Sequence, residues 1–345
     1  MLKKRIAMGI LAGLLACSFI AGCGGDKGTS EPPKPKPIAA DLKDLPNKDI
    51  KAGGRTFKLF ALKNNSKVRL ENSYGKGMKL AVVGRDMIYA NVKDRLVQMQ
   101  WDKDGLRMLD NNVDALSGNA KISSDGTRGI FYNNKRMRLN YFDSETKRIE
   151  EAQGSFNNLV VIPKGNADKA LIWMNQGDMR KVELRNGYRV GKNLGTVRKE
   201  SRSRAADDKD KINIPQSVVA DRNGDFYVGG NARIGTQDVG LVSVYDFDGK
   251  QKREDSKAMH NLTDIALTDE YLVVSDSAVD KQQLFIYRKS TGMLLDTVSY
   301  KDLTDNKEVD SNIWVNLSNM PDNRVLLSLS RGRKNVDDEF FILQL

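Results

Sequence analysis

The chain has 345 residues, of which 56 are Lys or Arg and 45 are Asp or Glu, giving a formal charge of +11 with 39% hydrophobic residues. That composition is too hydrophobic for a disordered chain and too evenly charged for a fibrous one, so one sizeable globular body or two smaller ones should form. One histidine and two cysteines in the whole chain exclude a multi-histidine metal site and a disulfide-dense scaffold.

Lys3, Lys4 and Arg5 form a positive start, followed by an uncharged apolar run of 16 residues from Ile6 to Ala21. A membrane-spanning helix needs about 20 apolar residues and the hydrophobic region of a secretory signal about 7–15, so the run reads as an export signal. It ends in Ile20-Ala21-Gly22-Cys23. This order of a branched apolar residue, two small residues and a cysteine resembles the lipobox of bacterial lipoproteins, with Ile20 where Leu is commoner. The resemblance implies removal of residues 1–22 and acylation of the Cys23 thiol. Cys17 leaves with the signal, so no cysteine remains for a disulfide or a thiolate metal site. Lys3, Lys4 and Arg5 leave as well, and the body stays basic. Each acyl chain contributes about 0.8 kcal/mol per buried methylene and one chain binds only reversibly, so a multiply acylated Cys23 implies durable membrane attachment on the extracytoplasmic side.

Residues 23–50 form a second zone, with Glu31-Pro32-Pro33-Lys34-Pro35-Lys36-Pro37 at its centre. Alternating Pro and Lys buries little apolar area and favours extended geometry of about 3 Å per residue, so this stretch reads as a semi-stiff tether. Its lysines are also drawn to anionic lipid.

From residue 51 to 345 no sustained helical stripe occurs, and short β-rich runs bounded by Gly, Asn and Asp recur. Tight-turn markers stand at Trp101–Gly105, Tyr141–Thr146, Leu184–Gly187, Tyr245–Gly249 and Tyr287–Gly292, their last residues 41, 41, 62 and 43 positions apart. The long gap holds a polar insertion of 20 residues, Leu194 to Asn213, whose removal leaves 42. Such turns use Gly, Asn or Asp because hairpins demand positive φ or side-chain capping. A period near 42 with four strands per unit predicts an all-β fold, a β-propeller of four-stranded blades. Second strands at Met87–Tyr89, Gly129–Tyr132, Ala170–Trp173, Phe226–Val228, Leu272–Val274 and Val325–Leu327 predict six blades. The last unit shows three strands, ending in Glu339–Leu345, whereas Thr56–Leu62 alternates without a partner. The N-terminal strand, residues 55–62, is therefore expected to complete the last blade and close the ring by backbone hydrogen bonds. Tandem β-sandwiches and a seven-bladed ring are the rival architectures.

Pro215–Gly249, with Val218-Val219-Ala220-Asp221-Arg222-Asn223-Gly224-Asp225-Phe226-Tyr227-Val228 and Val242-Ser243-Val244-Tyr245-Asp246-Phe247-Asp248-Gly249, resembles blades of six-bladed NHL and TolB-type propellers. Thr263–Thr297 resembles a weaker copy. Some relatives of that architecture are calcium-dependent lactonases whose ion is held in the central channel by Glu, Asn and Asp, and hard cations need several converging oxygens. Asn119, Asn157, Gln216, Asp264 and Asn312 are the candidate channel-lining residues. Only one of them is a carboxylate and the Glu-Gly-Pro opening of gluconolactonases is missing, so capping of inner strands is the expected role.

Other chemistry is sparsely provided. Asp221-Arg222-Asn223-Gly224-Asp225 and Ser123-Ser124-Asp125-Gly126-Thr127 read as β-turns, the first lacking the bidentate Glu of an EF-hand loop. His260 has no Gly-x-Ser-x-Gly elbow to serve, and no phosphate-cradling glycine loop follows a strand. Arg198, Lys199, Arg202 and Arg204 in the insertion, with Arg331, Arg333 and Lys334 in a last-blade loop, are the candidate contacts for an anionic partner. Asp207, Asp208 and Asp210 follow the first group and favour self-pairing. Nucleic acid is not an expected partner, since no aromatic stacking motif accompanies these charges.

The leading expectation is a lipid-anchored binding or assembly module at the cell envelope, with no catalytic residues assigned and a protein or envelope polymer as partner. A calcium-dependent hydrolase at the channel mouth and a binder of polyanions or lipid head groups are the alternatives.

Overall fold

The computed structural model describes residues 41–52, 54–70, 80–92, 95–110, 121–124, 129–135, 138–143, 148–153, 157–164, 168–175, 178–185, 189–199, 214–221, 223–234, 237–246, 250–257, 261–277, 282–305, 313–331 and 336–345. Contacts divide the chain into Met1–Pro37 and Ile38–Leu345, and all described residues lie in the second unit.

The described body is almost entirely strand. After a single 3-10 turn at Leu42–Asp44 come β1 (Asn47–Ala52) and β2 (Arg55–Leu62). The first sheet follows with β3 (Leu80–Val83), β4 (Met87–Val92), β5 (Arg95–Asp102) and β6 (Gly105–Asp110). The second has β7 (Lys121–Ser124), β8 (Gly129–Lys135), β9 (Arg138–Asp143) and β10 (Arg148–Gln153). The third has β11 (Asn157–Lys164), β12 (Asp168–Asn175), β13 (Asp178–Arg185) and β14 (Arg189–Lys199). The fourth has β15 (Ile214–Ala220), β16 (Phe226–Ile234), β17 (Gln237–Tyr245) and β18 (Gln251–Lys257). The fifth has β19 (Leu262–Leu267), β20 (Tyr271–Asp276), β21 (Gln283–Arg288) and β22 (Leu294–Ser299), and one helical turn, α1 (Tyr300–Leu303), leads on to β23 (Ile313–Met320), β24 (Arg324–Arg331) and β25 (Glu339–Gln344).

Every sheet is antiparallel, and five are meanders, the least costly way to pair consecutive strands. Five of the six have four strands in chain order, and the sixth runs β1-β2-β25-β24-β23. The first strands β3, β7, β11, β15, β19 and β23 each neighbour the next, and β23 neighbours β3. Sheets that touch through their first strands and return to the start form a ring about an axis. This is a β-propeller. Closure is the expected one: β2 pairs with β25, from Lys58 opposite Gln344 to Leu62 opposite Phe340.

Two boundaries differ from the sequence reading. The tether zone read from the sequence ends at about residue 50, whereas β1 begins at Asn47 as a fifth strand outside β2. Its Ile50 packs with Val298, Tyr300 and Leu303, so burial of that side chain helps to recruit a polar segment. The insertion begins as strand: β14 continues to Lys199 through three irregularities against β13, because bulges absorb extra residues while keeping the ladder.

Burial explains why middle strands read as continuous apolar runs. β24 has seven consecutive buried residues after Arg324, since neighbouring sheets cover both of its faces. One apolar layer joins Phe60, Leu62, Phe340 and Ile342 of the last sheet to Ile88, Met99 and Trp101 of the first. Each such side chain contributes about 1.5–3 kcal/mol of burial.

Candidate functional site

Between β2 and the first sheet the chain makes a clasp. The Asn64 carboxamide accepts from the Val68 amide at 2.9 Å and donates to the carbonyls of Val68 and Asp338, each at 2.9 Å. One side chain thus folds the turn and fastens it to the head of β25. Asp338 answers twice: its amide donates to the Val68 carbonyl at 3.1 Å, and its Oδ2 accepts from the Leu70 amide at 2.6 Å and from Ser330 Oγ at 2.7 Å. Arg69 and Asp337 form an ion pair at 2.8 Å beside it.

The other side of the clasp holds the β5–β6 hairpin of the first sheet. Leu106 N donates to Lys63 O at 2.7 Å, Asn65 N to Leu106 O at 3.2 Å, and Met108 N to Ser66 Oγ at 2.8 Å. Gly105, at φ +114°, makes the approach feasible, because a Cβ there would lie 2.4 Å from Lys63 O. Only glycine combines that φ with that space.

Beside the clasp lies a cleft of about 530 Å³ with Leu62, Phe340 and Phe341 among its apolar lining and Lys63, Asp338 and Glu339 among its charged residues. Burial pushes the Asp338 carboxyl up to about 6, against the hydrogen bonds from Leu70 and Ser330. A concave site that holds a buried carboxyl raised above its ordinary range is the strongest candidate for function among the described residues. Its far wall is braced by Arg331, whose guanidinium donates to Glu339 at 2.5 Å and to Thr304 Oγ1 at 3.2 Å, while Thr304 donates to Glu339 at 2.7 Å.

A second cleft, about 570 Å³, opens between the turns of the fourth and fifth sheets. Its charges are largely matched: Lys252 meets Asp225 at 2.6 Å and Lys289 meets Asp221 at 3.6 Å. Arg253 donates to the carbonyls of Lys289 and Ser290, each at 3.0 Å, tying one sheet's outer strand to the next sheet's turn. Burial raises the Asp221 carboxyl above its ordinary range in spite of Lys289.

Of the candidate channel residues, Asn157 opens β11 and Gln216 lies half-buried on β15. Asp264 sits on β19 and is buried. Its Oδ1 accepts from Ser217 Oγ of β15 at 2.6 Å and from Ile265 N at 2.9 Å, and its Oδ2 from Leu317 N of β23 at 2.8 Å. The carboxylate therefore staples three consecutive inner strands. Asn319 of β23 repeats the device, accepting from Leu267 N of β19 at 2.7 Å. Asn119 and Asn312 lie outside the described residues.

Arg198 and Lys199 end β14, while Arg202, Arg204, Arg333, Lys334, His260 and Cys23 lie outside the described residues. Arg331 requires a correction. It is the last residue of β24, 9% exposed, and not a loop residue; its charge is given to Glu339 because a buried guanidinium needs a partner. The Asp221–Asp225 segment is a turn as expected, with Asp221 Oδ1 accepting from the amides of Asn223 at 2.9 Å and Asp225 at 3.1 Å. Among the described residues no three metal-ligating side chains converge.

The clasp itself escaped sequence reading. Val336-Asp337-Asp338-Glu339 has the pattern of a solvated acidic loop, and nothing local separates buried Asp338 from half-exposed Asp337.

Sheet order and the ring of first strands define the class. No protein-family model matches the chain, and no curated protein matches its sequence. Among solved structures it is similar to a chain of a nidogen/laminin complex, at 11% identity and a TM-score of 0.45, covering 74% of this chain and 93% of that one. It is likewise similar to the WD40 domain of Toxoplasma gondii coronin, at 10% identity and a TM-score of 0.46, covering 88% and 87%. A β-propeller domain from Myceliophteria thermophila matches at 12% identity and a TM-score of 0.42, covering 82% and 98%. These are likenesses of architecture.

Proposed function

We propose that the chain is a lipid-anchored, extracytoplasmic β-propeller of the NHL/TolB kind that serves as a binding or assembly module at the cell envelope. Cys23 is the acylated residue, and the Pro/Lys-rich stretch that follows it is the tether that carries the ring away from the bilayer, ending before Leu42 and Leu45, which pack in the core. The observation that carries this reading is Ile20-Ala21-Gly22-Cys23 at the end of an uncharged run behind Lys3-Lys4-Arg5, followed at once by the Pro/Lys segment. Small residues let the extended chain enter a peptidase groove, and the thiol is the nucleophile that takes the diacylglycerol.

A binding role is favoured over channel chemistry by what the buried polar groups already do. Asp264 spends both oxygens on neighbouring strands, which leaves the candidate channel set without a carboxylate free to serve as a hard-cation ligand. The propeller then offers its loops and clefts as surface, most concretely the cleft beside the clasp.

Labelling with a fatty-acid probe tests the anchor: the wild type should incorporate it and fractionate with membranes, and Cys23→Ser should remain unprocessed and unlabelled. Normal processing of that variant would remove the lipoprotein reading. Crosslinking in the native envelope, read by mass spectrometry, tests the binding role by recovering a stoichiometric partner that survives high salt.

A further inference from the structure

We propose that the clasp at residues 64–70 is a pH-operated latch on ring closure, holding more tightly in mildly acidic surroundings and loosening as they become alkaline, with Asp338 as the group that takes the proton. The geometry sets this carboxyl apart. Asp338 is 4% exposed, and the partners of its Oδ2 are two neutral donors, the Leu70 amide and the Ser330 hydroxyl. Among the described residues no cation lies within ion-pair distance of it.

Most of the charged groups around it have closer partners of their own. From the clasp, Arg69 is held by Asp337. On its own strand head, Asp337 adds a like charge and Glu339 is held by Arg331 of β24. Across the cleft stand Lys63, Asp305 and the Lys103–Asp104 pair, the last with both partners well exposed at 3.0 Å. Burial of the charge at the joint thus outweighs what Arg69 offers it from the clasp, a costly arrangement that protonation relieves.

Protonation leaves the rest of the latch in place. The links from Asn64 Nδ2 to Asp338 O and from Asp338 N to Val68 O use backbone atoms, and a neutral carboxyl keeps a carbonyl oxygen for the Leu70 amide. The closed clasp therefore binds the proton more strongly than the open one. An acid raised on closure favours the closed form below its closed-state pKa, and the advantage disappears as pH rises through it. With the closed value at about 6 and the ordinary value at 3.8, the closed-to-open ratio should be about tenfold higher at pH 5 than at pH 8.

Hydrogen exchange on the full chain at pH 5, 6.5 and 8, corrected for intrinsic exchange chemistry, tests this, because amide protection reads the local opening equilibrium. Amides of residues 65–70 and 338–340 should gain about tenfold protection from pH 8 to pH 5. Those of β20 and β21, in the adjoining sheet, should not follow. Asp338→Asn, which keeps an acceptor and loses the charge, should abolish the pH response. Should that variant fail to fold, Ser330→Ala serves: losing a donor to the charged form should move the midpoint to higher pH. Unchanged clasp protection, a parallel change throughout the ring, or an Asp338→Asn profile like that of the wild type would each overturn the latch.

Discussion

Removing the Asp264 carboxylate separates a strand staple from a metal ligand. In Asp264→Ala, three donors lose their acceptor: Ser217 Oγ, Ile265 N and Leu317 N. The hydroxyl can rotate to another acceptor, whereas the two amides belong to strands whose positions are fixed by their ladders. Hydrogen bonds to a charged acceptor contribute about 1.5–3 kcal/mol each, and a buried donor left without a partner costs about 1–3 kcal/mol. Two amides stranded in this way give an expected loss of about 3–5 kcal/mol, a large fraction of the 5–15 kcal/mol typical of a folded domain. Asp264→Asn should lose roughly half as much, because one oxygen is retained and an NH2 group is turned toward a donor. Urea denaturation of the full chain, followed through Trp101, Trp173 and Trp314, measures both. A loss below about 1 kcal/mol for the alanine variant would refute the staple. A calcium-induced rise in the wild-type midpoint that vanishes in Asp264→Ala would assign the carboxylate to an ion instead.

Two other substitutions probe the joint from either side. Gly105→Ala places a Cβ 2.4 Å from Lys63 O at φ +114°, so the hairpin must leave the clasp or distort, and a loss of about 2–4 kcal/mol is expected by thermal or urea unfolding. A stable variant with an unchanged midpoint would mean the hairpin does not seat on Lys63. Arg331→Ala removes the partner of Glu339, whose side chain is 31% exposed, so a loss of about 1–3 kcal/mol is expected after allowing for that access to solvent. Its binding to anionic vesicles should equal that of the wild type; weaker binding with intact stability would return Arg331 to the docking surface.

The blades were legible in the sequence because they rest on short-range rules. Tyr245 to Gly249 and Tyr287 to Gly292 mark the third-to-fourth strand turns of the fourth and fifth sheets, since a hairpin fixes its turn chemistry within a few residues. Closure was legible by strand accounting, as an alternating segment at one end matched a three-stranded unit at the other. β1 was not, because Asn47-Lys48-Asp49-Ile50-Lys51-Ala52 carries too little apolar alternation to stand out from a polar lead-in.

The clasp and the staples were decided only by tertiary structure. Asp264 finds its partners 47 and 53 residues away, and Asp338 meets the Leu70 amide across 268 residues. In one dimension these aspartates look like any surface carboxylate. Whether a charge ends in water or in the seam between two sheets depends on which strands become neighbours when the ring shuts, and that follows from the sum of many apolar contacts instead of any local pattern. Repeat length and turn chemistry were set by the sequence alone; the fates of Asp264, Arg331 and Asp338 waited for the ring, because burial belongs to the assembled fold.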